Sequence, residues 1–249
     1  GFQNRLGHEI KEYDLKLENS KLEDVLDSQI CFLCLPTPAK SDGSCDISIV
    51  SEIITFLSWR RYPGIAVIKS TCPPGTTESF RKKYPLLRLA FVPEFLKERS
   101  AIIDFSERNQ VCIIGTDNQE DYEIIKECHG KLPKKFVKLS STEAEMSKYF
   151  SNAFGACSVV FANSFYELCQ KYQINYLNVK NSIAGNMPHI PNEYLDCNEQ
   201  WRGYSSICWN KDLPSLTHIA QGTNVEFFDK IISENDKYQK TPFPGTREK

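Results

Sequence analysis

The strongest constraint in this chain is an alternation: through its first half, short apolar runs take turns with amphipathic stretches. Strand-like segments fall at 8–14, 29–35, 64–70, 87–92, 110–115 and 135–139, with helix-like segments at 46–59, 76–83 and 119–129. Strands bounded by turn residues and separated by helices build right-handed crossover units around a parallel sheet. The runs CFLCL, IAVI and VCII are apolar without interruption, as expected of strands covered by helices on both faces. This half is expected to be α/β, a doubly wound parallel sheet.

The pattern changes at Thr142. Glu143 to Gln173 holds no proline, and Gly155 is its one glycine. Ser141 and Thr142, followed by Glu143 and Glu145, suit a helix start with acid in the first turn. Tyr149, Phe150, Ala153, Phe154, Cys157 and Val160 begin an apolar stripe at i, i+3, i+4 spacing, on a helix about 45 Å long. The stripe is wider than one core contact requires. The helix reads either as the spine of a second domain with a subunit interface along its far side, or as a fully internal helix. Residues 175–212 look loop-rich, 213–238 look helical again, and the polar tail 241–249 is expected to be disordered.

Composition narrows the function classes. The net charge is −2, without the basic excess of a general nucleic-acid binder. No run approaches the roughly 20 apolar residues of a membrane helix. Neither nucleic acid nor membrane is therefore an expected partner. Of ten cysteines, Cys31, Cys34, Cys72, Cys112, Cys157 and Cys169 lie in apolar runs, where a thiol behaves as a small hydrophobe. Cys31 and Cys34 have CxxC spacing, but on a strand residues three apart face opposite ways and cannot share one ion. No metal is expected. Free thiols and the lack of a signal peptide fit a reducing, cytoplasmic setting.

Several segments could carry chemistry. Ser70, Thr71 and Thr76, in the stretch IKSTCPPGTT, follow a strand and open a helix, where backbone N–H groups suit an anion or an ordered water. Alone, such hydroxyls are helix caps. Leu35-Pro36-Thr37-Pro38 has the same character one strand earlier. Glu94 and Glu98, four apart after another strand, could divide acid/base or water-positioning work, or form a solvated face with Lys97 and Arg99. Lys148 and Asn152 share one face of the long helix, where a lysine among aromatic residues is costly to bury. Cys208, with Lys211 and Asp212 close by, is placed on a polar stretch like a nucleophile rather than like core.

Taken together, in order, these segments resemble the UDP-glucose/GDP-mannose dehydrogenase family. The pieces are LPTP with DGS-x-D, IKSTCPPGTT, FVPEFLKERSAIIDF, STEAEMSKYFSNAF and RGYSSICWNKD, spanning Leu35 to Asp212. The resemblance implies a Rossmann-like NAD-binding domain at 1–140, a helical central and dimerisation domain at 141–240, and a homodimer through the helix 142–173. It implies NAD-dependent, four-electron oxidation of a nucleotide sugar's primary alcohol to the uronic acid, through a thiohemiacetal and a thioester. By position, Cys208 matches the nucleophile, Lys148 and Asn152 the groups that hold charge on the substrate oxygen, and Asp212 the water-orienting carboxylate. Thr71 and Glu98 match the residues that position water beside the nicotinamide. Glu94, Phe95, Leu96, Lys97, Glu98, Lys148 and Gly203 match the substrate grip, and Asp14, Thr37, Thr71, Glu98 and Lys211 the cofactor contacts.

Departures from the family pattern stand beside the matches. No GxGxxG occurs in the 249 residues, and 6–14 reads as the remnant of the helix and second strand that follow such a loop. The first strand and glycine loop are thus expected to be missing, with weakened NAD affinity. Ser205 and Ser206 replace paired glycines, Asn210 replaces a proline, and His189 stands for a substrate-loop arginine. Only 37 residues follow Asp212, too few for the family's third domain. An alternative is a non-catalytic homologue acting as a dimeric scaffold. A hydroxyacid or 6-phosphogluconate-type dehydrogenase would need no cysteine, and CWNKD argues against it.

Overall fold

The structure is a computed structural model that describes residues 6–97 and 100–238. Contacts divide the chain into two compact units, the first running through Lys148 apart from Ala39–Ser44, the second comprising Ala39–Ser44 and the chain from Tyr149 onward.

In the first unit, β1 (Ile30–Leu33), α1 (Ser48–Trp59), β2 (Ile65–Ile68), α2 (Thr76–Lys83), β3 (Arg88–Phe91), α3 (Ala101–Ser106), β4 (Val111–Gly115), α4 (Gln119–His129) and β5 (Lys135–Leu139) follow in chain order. The strands line up as β1-β2-β3-β4-β5. β1 and β2 pair in parallel from Ile30↔Ile65, β2 and β3 from Ile65↔Arg88, and β4 and β5 from Val111↔Lys135. Where the two groups meet, β3 and β4 join antiparallel through the pair Phe91↔Gly115. The connection between them carries the short helix α3 of six residues. The expected parallel sheet is therefore mixed at that one seam.

Side-chain alternation explains the unbroken apolar runs. Cys31 and Leu33, Ala66 and Ile68, and Leu89 and Phe91 pack on one face with Val50, Ile54 and Leu57 of α1 and Phe80 of α2. The intervening Ile65, Val67, Ala90 and Val92 pack on the other face with Ile125 of α4. Both faces are buried, so both sets of positions must be apolar. Each fully buried aliphatic side chain contributes about 1.5–3 kcal/mol.

The expected strand at 8–14 does not form; the segment is irregular and mostly exposed. Four of its seven residues are charged, and Ile10 and Tyr13 stay exposed, so no apolar face repays pairing. The tail 241–249, expected to be disordered, lies outside the described residues.

The long helix α5 spans Ser141–Lys171. Its cap lies one residue earlier than the sequence suggests: Ser140 Oγ accepts from Glu143 N (3.3 Å) while Ser140 N donates to Glu143 Oε2 (2.9 Å), a reciprocal capping box. In the second unit, Ala156, Val159 and Val160 of α5 pack on Tyr204 and Leu213, and Ala162, Tyr166 and Cys169 pack on Tyr176 and Cys197. Phe150, Phe154, Phe161, Phe165 and Leu168 remain exposed on the same helix. The loop-rich reading of 175–212 misses α6 (Tyr176–Ile183), whose Asn175 cap accepts from Leu177 N at 2.8 Å. Nor is 213–238 one helix. It divides into α7 (Ile207–Ile219) and α8 (Phe227–Asn235) around a turn at Gly222, where φ is +82°.

Candidate active site

Two sets of candidate residues take shape, one in each unit. In the first, β1 and β2 run in parallel, so the loops after their carboxyl ends emerge side by side. The Cys45 thiol ties these loops together, reaching Thr37 O at 3.9 Å and Thr71 O at 3.6 Å. Both threonines are buried. Ser70 donates to Leu33 O (3.2 Å) and accepts from Leu35 N (2.7 Å), which makes it a brace between the same strand ends.

The loop after β3 is held by two lysines. Lys69 Nζ pairs with Glu94 Oε2 at 3.1 Å, and Lys148 Nζ donates to Glu94 O at 2.5 Å. The Lys148 ammonium also lies 5.7 Å from the Phe95 ring centroid, a favourable cation–π distance. Glu94, Phe95 and Lys148 are thereby brought together, and Leu96 and Lys97 follow half-buried, with Lys97 N donating to Asp104 Oδ2 at 3.2 Å. Glu98 and Arg99 lie outside the described residues, so the expected Glu94–Glu98 pairing has no geometry to report. Lys69 was missed by sequence reading, although its place at the end of an apolar strand run was a usable signal.

The anion site expected at the start of α2 is already filled from within the chain. Glu145, read in sequence as a first-turn acid, is fully buried. Its carboxylate accepts from Gly75 N (2.6 Å), Thr77 N (2.8 Å) and Thr77 Oγ1 (2.6 Å). It supplies the negative charge that a helix N-terminus attracts. Burial pushes its carboxyl above the usual value, against the hydrogen bonds that favour the anion. Thr76 Oγ1 is likewise engaged, donating to Pro73 O at 2.6 Å.

In the second unit the expected loop cysteine lies on a helix. Ser206 caps α7, its Oγ accepting from Trp209 N at 3.2 Å, and Cys208 sits exposed in the first turn. Ser206 has a local reason to stand there, since serine is among the better N-caps. Asp212, one turn on from Cys208, is buried. Its carboxylate accepts from Asn152 Nδ2 and from Lys211 Nζ, each at 2.5 Å. Asn152 and Asp212 are thus brought together, with Lys211 as the counter-charge of Asp212.

Gly203 has φ +61° and donates its N–H to Asn163 Oδ1 at 3.1 Å. The same oxygen accepts from Arg202 Nε at 2.8 Å, so the buried Asn163, unmarked in the sequence, organises the approach to α7. Asp14 stands apart, exposed in a turn where its Oδ1 accepts from Lys16 N at 2.8 Å. His189 is exposed in the loop after α6. All ten cysteines are free, and the described residues contain no cluster of metal-ligating side chains. No described helix is long and apolar enough to cross a membrane.

Residues 1–132 match the NAD binding domain of the UDP-glucose/GDP-mannose dehydrogenase family, and residues 142–237 match that family's central domain. The Bacillus subtilis protein YtcA is 31% identical over 80% of this chain and 48% of its own length. The UDP-glucose 6-dehydrogenase of Rickettsia bellii is 29% identical over 94% of this chain and 54% of its own. A UDP-glucose dehydrogenase from Pyrobaculum islandicum superimposes with a TM-score of 0.79 at 24% identity, covering 88% of this chain and 52% of that one. The chain spans about half the length of the curated relatives it matches. The buried threonines at the carboxyl ends of β1 and β2 sit where an open α/β sheet receives its ligand.

Proposed function

The chain belongs to the UDP-glucose/GDP-mannose dehydrogenase family, and on that premise we propose that it oxidises the primary alcohol of a UDP-glucose-type nucleotide sugar to the uronic acid. The observation that carries this reading is the second unit's exposed Cys208 thiol, one helical turn from the buried Asp212 carboxylate that Asn152 and Lys211 fix in place. When bound, NAD accepts a hydride from the reacting carbon. The chain's own residues do the rest. Lys148 and Asn152, one turn apart on α5, supply a cation and an amide donor for the substrate oxygen as it gives up its proton. Glu94, Phe95, Leu96, Lys97 and Gly203 grip the substrate, while Thr37, Thr71 and Lys211 line the cofactor, with Asp14 on its ribose. Thr71 and Glu98 position water.

The Cys208 sulfur adds to the aldehyde carbon to form a thiohemiacetal, and loss of its hydroxyl proton and of a second hydride, which a second NAD would accept, leaves a thioester. Water oriented by Asp212 then cleaves the carbon–sulfur bond, releasing carboxylate and regenerating the thiol. In this account 1–140 carries NAD and 141–240 carries the thiol. The exposed Phe150, Phe154, Phe161 and Phe165 mark α5 as the face of a homodimer, since contiguous apolar patches mark interaction sites. Ten free thiols suit a cytoplasmic setting.

The test is to supply UDP-glucose and count NADH per sugar. The native chain should give two and Cys208→Ser one or none; two from the serine variant would refute the thiol's role. The same apolar face favours one second reading, a dimeric scaffold without turnover. A tight dimer that shows no NAD binding in calorimetry would establish it.

A further inference from the structure

Gly155 lies on α5 against Trp209, in the first turn of the thiol-bearing α7. A Cβ built there would lie 2.6 Å from Trp209 Cζ2 and 3.2 Å from its Cη2. The indole occupies the space that any side chain would take. Nor is it free to swing away. Tyr194 and Tyr204 meet it edge-on, with ring centroids at 5.2 and 5.7 Å, and it packs against the cluster of Ala156, Val160 and Leu213. Trp209 is also the residue whose N–H the Ser206 cap receives, so the indole anchors the first turn of α7 from the side while Ser206 closes its end. Cys208 is the neighbour of that anchor and points outward, exposed. Glycine in mid-helix is destabilising relative to alanine, so its presence on α5 asks for a compensating gain.

We propose that Gly155 is a positioning residue: the notch it leaves in α5 seats the Trp209 indole, and that seat fixes the presentation of the Cys208 thiol. The inference rests on Cys208 being the nucleophile of the reaction above. Its geometric content, however, can be read without turnover. Glycine and tryptophan form a size-matched pair, so enlarging one partner should be repaired by shrinking the other.

The experiment measures how fast iodoacetamide alkylates Cys208 in the full chain, with peptide mapping to separate it from the other nine cysteines. Gly155→Ala should change that rate about tenfold, about 1.4 kcal/mol, as overpacking expels the indole. Tryptophan emission should shift red as the ring leaves its seat. In the double variant Gly155→Ala, Trp209→Phe the smaller ring should return the alkylation rate to within about twofold of native. Val160→Ala, a cavity in the same cluster, should lower the melting temperature and leave the rate unchanged, which a merely structural role for Gly155 would not produce. Should Gly155→Ala fail to fold, the double variant decides alone: folded with a native-like rate supports the seat, unfolded or altered overturns it. A native rate in folded Gly155→Ala, or an equal change in Val160→Ala, also overturns it. If alkylation follows this pattern while Cys208→Ser still yields two NADH per sugar, the seat stands and the catalytic reading fails.

Discussion

Glu145 and Asp212 are both buried carboxylates, and the chain treats them in opposite ways. Three neutral donors at the start of α2 hold Glu145, and burial raises its carboxyl above the usual range. Asp212 instead meets a lysine ammonium and an amide, one turn from an exposed thiol. The first arrangement fixes a loop to a helix and occupies the donors that an anion would use. The second keeps a compensated charge one turn from the exposed thiol proposed to react. A buried acid is thus not a site by itself; what decides is whether its partners lock it into the backbone or hold it next to something that can react.

Substitutions can break this contrast. The largest effect on stability should come from Glu145→Ala, which strands two N–H groups and a hydroxyl and should cost about 4 kcal/mol in urea unfolding. A loss below about 1 kcal/mol would mean that the clasp is ornamental. Asp212→Ala should cost less, about 2–3 kcal/mol, because the partly exposed Lys211 can turn toward water. It should nonetheless abolish carboxylate formation, as product analysis would register. Glu145→Gln keeps the shape but presents an N–H₂ to donors, and should cost about 1–2 kcal/mol.

The same variant sharpens the electrostatic half of the comparison. A carboxyl whose folded pKa lies above its usual 4.5 holds its proton more tightly in the native state. Its contribution is complete below 4.5 and fades as pH rises through the raised value. The stability gap between native protein and Glu145→Gln should therefore narrow as pH rises above 4.5 in parallel urea titrations. A gap that widens would reverse the assignment. The smallest effect belongs to Gly75→Ala. A Cβ there meets nothing within 4 Å, so only the φ of +90° resists it, at about 1 kcal/mol by thermal unfolding.

The sheet could be read from sequence because its strands are buried on both faces, so IAVI and VCII betray themselves without any partner in view. α5 was legible for a similar reason, a long stripe free of proline. The segment 8–14 failed because four of its seven residues are charged and its apolar Ile10 and Tyr13, three apart, would face opposite sides of a strand. Glu145 and Lys69 were misplaced or missed because their partners lie far along the chain: 70 residues separate Glu145 from Gly75. The Cys208 helix was hidden by Ser205, Ser206 and Asn210, residues that suit turns, although serine at 206 does its work as a cap. Motif order nominated the residues proposed to react; only coordinates showed which neighbours restrain them.

The most direct test of the central claim is to catch the thioester on its sulfur. In Asp212→Asn, where water loses its orienting carboxylate, the acyl form should build up during turnover with UDP-glucose and NAD. Mass mapping should then find a hydroxylamine-sensitive uronyl adduct on the peptide bearing Cys208. The same experiment ending with an unmodified Cys208, or with the adduct on another of the ten cysteines, would contradict the account.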